Sequence, residues 1–224
     1  MNQPQSSVGH CLDVQSFINA QPISRYQWRV VILCFLIVFL DGLDTAAMGF
    51  IAPALSQDWG IDRASLGPVM SAALIGMVFG ALGSGPLADR FGRKVVLVGA
   101  VLLFGAFSLA SAYSTNVDQL LVLRFLTGLG LGAGMPNATT LLSEYTPERH
   151  KSLLVTSMFC GFNLGMAGGG FISAKLIPMF GWHSLLLIGG ILPLLLVVVL
   201  MVWLPESARY LVVRNKGTDR VRRT

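Results

Sequence analysis

Of 224 residues, 54% are hydrophobic and 12% charged, about half the charged share of an ordinary soluble domain. With a mean hydropathy of +0.68, too little polar surface remains to coat a water-soluble globule. A soluble enzyme, a disulfide-stapled secreted domain and a disordered tail are excluded. The net charge of +5 does not point to nucleic acid, because most basic residues gather at the ends of apolar runs. A bilayer core needs about 20 apolar residues per helix, and six runs qualify: residues 29–54, 66–86, 95–113, 119–142, 153–177 and 184–204. The first carries Asp41 and Asp44, the fourth Arg124 and the fifth Lys175; the other three are uncharged. Runs such as 95–103 do not alternate, which excludes a β-barrel. The expected fold is all-α integral membrane, with six transmembrane helices.

Residues 1–28 read as a polar N-terminal tail with no signal-peptide core, and 205–224 as the start of a longer loop. If the N-terminus is cytoplasmic, 13 of the 16 Lys and Arg residues fall on that side. The positive-inside rule then puts both ends of the chain in the cytoplasm. Small residues recur at four-residue spacing in Gly76–Gly80–Ser84, Gly128–Gly132 and Gly161–Gly165–Gly169, the pattern that lets membrane helices approach closely. Pro136 and Pro193 fall inside runs and are expected to kink or open them. Cys11, Cys34 and Cys160 have no metal-ligand or disulfide spacing and read as small hydrophobes.

Asp41 and Asp44 lie three apart, on one face of a helix, near mid-membrane. A charge there costs several kcal/mol unless it is paired or hydrated. Arg124 is the only mid-span cation, at a depth that makes either acid a plausible partner. Two acids against one base leave a titratable surplus, so a proton or substrate site is expected; an ion pair that only fixes helix register is the alternative.

Between the second and third runs stands Gly85-Pro-Leu-Ala-Asp89-Arg90-Phe-Gly92-Arg93-Lys94. Gly85 and Gly92 would permit a turn, and Asp89 and Arg93 have i,i+4 spacing. The string resembles the signature loop of the major facilitator superfamily. Arg124 with Gly128, Gly130 and Gly132, then Glu144-Tyr-Thr-Pro147, then Pro205-Glu206-Ser207-Ala-Arg209 resemble further patterns of that family. Lys151 stands where the family usually has Arg, and no antiporter Gly-Pro pair follows in the fifth run. Asp41-Gly-Leu-Asp44 is similar to the aromatic acid:proton symporters within the superfamily.

The resemblance implies a fold of twelve helices in two halves, with this chain as the N-terminal half, built of two inverted three-helix repeats. It implies import of aromatic carboxylates, 4-hydroxybenzoate and protocatechuate among them, by proton symport across the inner membrane, without enzymatic activity. No cofactor is implied beyond the proton as coupling ion; the partners are substrate, lipid bilayer and a C-terminal six-helix half. The substrate site would lie between the halves, so the face carrying Asp41, Asp44 and Arg124 should look towards the second half. Asp41 or Asp44 would take the proton, while Arg124 would bind the substrate carboxylate as a bidentate donor or hold an Asp in place. Asn163 would be a lesser contact. Gly85, Asp89, Arg90, Gly92, Arg93, Glu144, Lys151, Glu206 and Arg209 would form a cytoplasmic gate. A sugar or other organic-acid facilitator, and a non-transporting six-helix subunit, remain alternatives.

Overall fold

The computed structural model describes residues 24–207; Cys11 and Arg209 lie outside them. Six helices in this range are long and apolar enough to cross a membrane. Helix α1 (Arg25–Trp59) starts at a capping box between Ser24 and Gln27 and ends at Gly60, whose φ of 63° only glycine adopts readily. A single 3₁₀ turn (Arg63–Leu66) leads into α2 (Gly67–Phe91), then α3 (Arg93–Ser111). Helix α4 (Val117–Tyr145) is capped by the Asn116 side chain; α5 (Glu148–Phe180) and α6 (His183–Trp203) follow. Every expected span is present. Helices α1, α4 and α5 overrun their apolar runs at both ends, because caps, not hydropathy, terminate a helix.

Two expectations at the α2–α3 corner change. Helix α2 continues through Gly85 to Phe91, so Gly92 alone turns the chain, at φ 98°. That break removes the i,i+4 relation between Asp89 and Arg93, and their ion pair does not form. Pro136 and Pro193 are accommodated without interrupting the assigned helices α4 and α6.

Helix α2 packs chiefly on α4, α1 chiefly on α5, and α3 on α4 and α6. Exchanging α1 with α4, α2 with α5 and α3 with α6 converts the first pair into the second. Short connections make successive helices antiparallel, so exchanged partners run in opposite directions: an inverted repeat. Its seams are made of glycine. A Cβ on Gly76, Gly80, Gly128 or Gly132 would overlap a backbone carbonyl across the α2–α4 seam. Gly42 and Gly165 meet carbonyls of Phe162 and Phe39 in the same way across the α1–α5 seam.

Buried apolar side chains form two clusters. One gathers Val30–Leu40 of α1, Leu97–Phe104 of α3, the second half of α4 and Leu196–Leu204 around the end of α6. It lies at the end of the bundle that carries Arg25, Arg29, Arg93 and Lys94. The other, at the opposite end, gathers Ala47–Leu55, Leu66, Leu120, Trp182 and Leu186. Between Leu40 and Ala47 on α1 lie Asp41 and Asp44; between Phe104 and Ala112 lies Ser108; between Leu120 and Leu131 lies Arg124. The buried charges therefore occupy one layer, sandwiched between apolar ones.

Candidate functional site

That layer is joined by hydrogen bonds from three helices. Arg124 Nη1 of α4 meets Asp44 Oδ2 of α1 at 3.2 Å. Ser108 Oγ of α3 donates to Asp44 Oδ1 at 2.6 Å and accepts from Arg124 Nη2 at 3.4 Å. The guanidinium thus spans a carboxylate and a hydroxyl. Arg124 is 1% exposed, Asp44 2% and Ser108 0%. Helix α6 closes the fourth side: a Cβ on Gly189 would stand 3.3 Å from Asp44 Oδ1 and 3.4 Å from Ser108 Oγ. Arg124 Nε makes no hydrogen bond to the protein.

Asp41 is enclosed as well, at 3% exposure, but its only polar contact among the described residues is a long one, from Thr45 Oγ1 at 3.4 Å. Among the described residues no cation pairs with it. It borders a cavity of about 10 Å³ walled by Ile37, Val101, Phe104, Gly130, Leu131 and Gly134, about the size of one water. The expectation that Asp41, Asp44 and Arg124 look outward to a second half is therefore corrected. Helices of this half enclose all three, because an intramembrane charge is cheapest where protein supplies its partner.

Asn163 does not join them. It lies on the exposed side of α5, whose buried stripe is Gly161, Gly165 and Gly169. Phe159 is exposed on the same helix, and Phe162 packs partly buried against the core. No group of His, Cys, Asp and Glu suited to a metal occurs among the described residues.

A second polar cluster forms at the basic end of the bundle. Arg93 Nε lies 3.1 Å from Glu144 Oε1, and Ser207 Oγ donates to Glu144 Oε2 at 2.6 Å. Gly92 offers no side-chain cap to α3; Glu206, from beyond α6, supplies one. Its Oε1 accepts from the Lys94 backbone N–H at 3.0 Å, and its carboxylate would lie 2.7 Å from a Cβ on Gly92. Gly92 is thus required twice, for its positive φ and for room. Tyr145 Oη donates to the Glu206 carbonyl at 2.6 Å, and Lys94 Nζ to the Met201 carbonyl at 2.8 Å. The structure joins Gly92, Arg93, Glu144 and Glu206 of the expected gate; Gly85, Asp89, Arg90 and Lys151 are exposed.

A carboxylate on a helix N-terminus satisfies an orphan N–H and complements the dipole. Glu206→Ala should therefore lower the thermal stability of the detergent-purified chain by about 1 kcal/mol. A melting curve coincident with wild type would contradict this capping role.

Ser108, Gly189, Tyr145 and Lys94 were not singled out from the sequence. Ser108 shares with Ser111 the uncharged stretch of α3 between the two apolar clusters. Nothing in its neighbours distinguishes it from Ser111, whose hydroxyl bonds back to the Phe107 carbonyl as helical serines commonly do.

The family model of the Major Facilitator Superfamily matches residues 34–222. The 4-hydroxybenzoate transporter PcaK of Pseudomonas putida is 89% identical over the whole chain, which covers 50% of that protein. A gallate transporter of Pseudomonas putida is 56% identical over 94% of the chain and 47% of its own length. The chain spans about half the length of these curated relatives. Among solved structures, the proton:xylose symporter XylE bound to 6-bromo-6-deoxy-D-glucose superposes with a TM-score of 0.75 at 24% identity, over 87% of this chain and 48% of that one. The inward-open xylose transporter XylE from E. coli gives 0.73 at 21%, over 88% and 54%. At those identities the likeness speaks to fold alone. The inverted helix pairing, the Gly92 corner held by Glu206 and the profile match converge: this multi-pass membrane chain belongs to the Major Facilitator Superfamily.

Proposed function

We propose that the chain forms the first half of a proton-coupled importer of aromatic carboxylates such as 4-hydroxybenzoate and protocatechuate. It sits in the inner membrane with both of its ends cytoplasmic, and a second six-helix half completes the substrate site. The substrate class rests on the name and 89% identity of the Pseudomonas putida relative. The observation that carries the proton step is the unequal pairing of two enclosed acids. Asp44 is committed to Arg124 and Ser108, whereas Asp41 has no cation among the described residues. An acid that must be neutral while substrate crosses, and charged after, is one without a fixed counter-charge. Asp41 is therefore the proton carrier, and Arg124 holds Asp44 in place.

The Arg93–Glu144–Ser207 and Gly92–Glu206 contacts fix the α2–α3 corner to the ends of α4 and α6. In this reading they make the rigid side of a cytoplasmic gate, with Asp89 and Lys151 exposed towards what closes on it. The test joins residues 1–224 to the second half of the Pseudomonas putida relative and follows labelled 4-hydroxybenzoate uptake. Unlabelled protocatechuate should compete and glucose should not. Competition by glucose but not by benzoates would make the protein a sugar facilitator and overturn the reading.

A further inference from the structure

The layer between the two apolar clusters contains one hydroxyl with both of its functions in use. Ser108 Oγ donates to Asp44 at 2.6 Å while accepting from Arg124 at 3.4 Å. The side chain is fully enclosed, and a Cβ on Gly189 of α6 would touch its Oγ at 3.4 Å. Ser108 therefore closes a triangle with Asp44 and Arg124. One turn back along α1, Asp41 faces Val101 and Phe104 of α3 and Gly130, Leu131 and Gly134 of α4, none of them charged. Among the described residues the charged members of this layer are Asp41, Asp44 and Arg124. Asp41 and Asp44 lie three residues apart on one helix, yet the cation is paired with Asp44 alone, and something must hold it there.

We infer that Ser108 is the positioning residue that does so: by anchoring Asp44 and one Arg124 nitrogen together, it keeps the cation off Asp41. Asp41 is left free to gain and lose a proton. The inference rests on the proton-symport reading and adds to it the residue that separates the roles of the two acids. Without the hydroxyl, Asp44 Oδ1 loses its short bond and Arg124 Nη2 its acceptor. The guanidinium can then swing to Asp41, hold it as the anion and block the coupled step. Substrate binding, which precedes the crossing that needs Asp41 neutral, continues.

The experiment uses the completed two-half protein in membrane vesicles, with labelled 4-hydroxybenzoate. Ser108→Ala should lower proton-driven accumulation about tenfold, the size of losing one hydrogen bond to a charged group. Equilibrium binding of labelled 4-hydroxybenzoate to de-energised vesicles should stay within about threefold, under the tenfold effect of that one lost bond. Ser108→Thr, which keeps the hydroxyl, should restore accumulation relative to the Ala variant. Immunoblots of the vesicles correct for the amount inserted. Equal losses of accumulation and substrate binding in Ser108→Ala would assign the residue a merely structural role and overturn the inference. So would full accumulation by Ser108→Ala, or a Thr variant no better than Ala. A wild-type protein whose accumulation survives a protonophore would instead overturn the symport reading, and the inference with it.

Discussion

Arg124→Gln should strip folded protein from the membrane. The substitution leaves the Asp44 carboxylate 2% exposed with Ser108 as its only remaining partner among the described residues. Breaking a buried pair by removing one member costs about 3–5 kcal/mol, because the other charge stays buried and uncompensated. Much of the margin of a typical domain would be gone. Arg124→Lys keeps the charge but not the fork: one ammonium on a flexible stem does not reproduce the planar reach from Asp44 Oδ2 to Ser108 Oγ. It should fold better than the Gln variant yet still lose proton-driven uptake. Removing both charges, Arg124→Gln with Asp44→Asn, should recover much of the stability and none of the transport. Size-exclusion profiles after mild detergent extraction report the first effect and uptake the second. A monodisperse Arg124→Gln single variant at wild-type yield would show that the pair contributes little.

Gly132→Ala is expected to be nearly as damaging, for a reason unrelated to charge. A methyl at Gly132 would overlap the Met77 carbonyl across the α2–α4 seam. That atom is backbone, so relief requires the helices to separate, and overpacking of this kind costs about 1–3 kcal/mol. Gly99→Ala provides the control, since nothing lies within 4 Å of its Cβ position. There the substitution should be neutral or mildly stabilising, as a helical Gly→Ala exchange usually is. Melting curves of the two variants should diverge; coincident curves would mean that the seam is not tightly packed.

Much of this was legible because the membrane punishes error. Uninterrupted apolar runs can only be helices, and an intramembrane Arg124 must find an acid at its own depth, so a pairing with Asp41 or Asp44 could be read from position. Which way that pair faces could not. A charged face on α1 is equally compatible with the interior of this half and with a site shared with another, and only the packing of α3 and α6 decides. Ser108 hid because a helical serine ordinarily bonds its own backbone. Asn163 lies apart from the buried charges, as the stripe beside it indicates: two residues along from Gly161 is about 200° around the helix, away from the packed side. The Asp89–Arg93 pairing failed at Gly92, whose φ of 98° ends the helix that i,i+4 spacing assumes. The Glu206 cap joins residues 112 apart in sequence, a contact no local pattern reports.

The central claim, proton-coupled import with Asp41 as the carrier, is tested most directly by the proton itself. The two-half protein is placed in weakly buffered, de-energised vesicles and the external pH is recorded as 4-hydroxybenzoate is added. The account predicts alkalinisation of the medium on substrate addition, abolished by a protonophore and absent in Asp41→Asn. Substrate entry with no change in external pH, or an Asp41→Asn variant that alkalinises as wild type does, would contradict it.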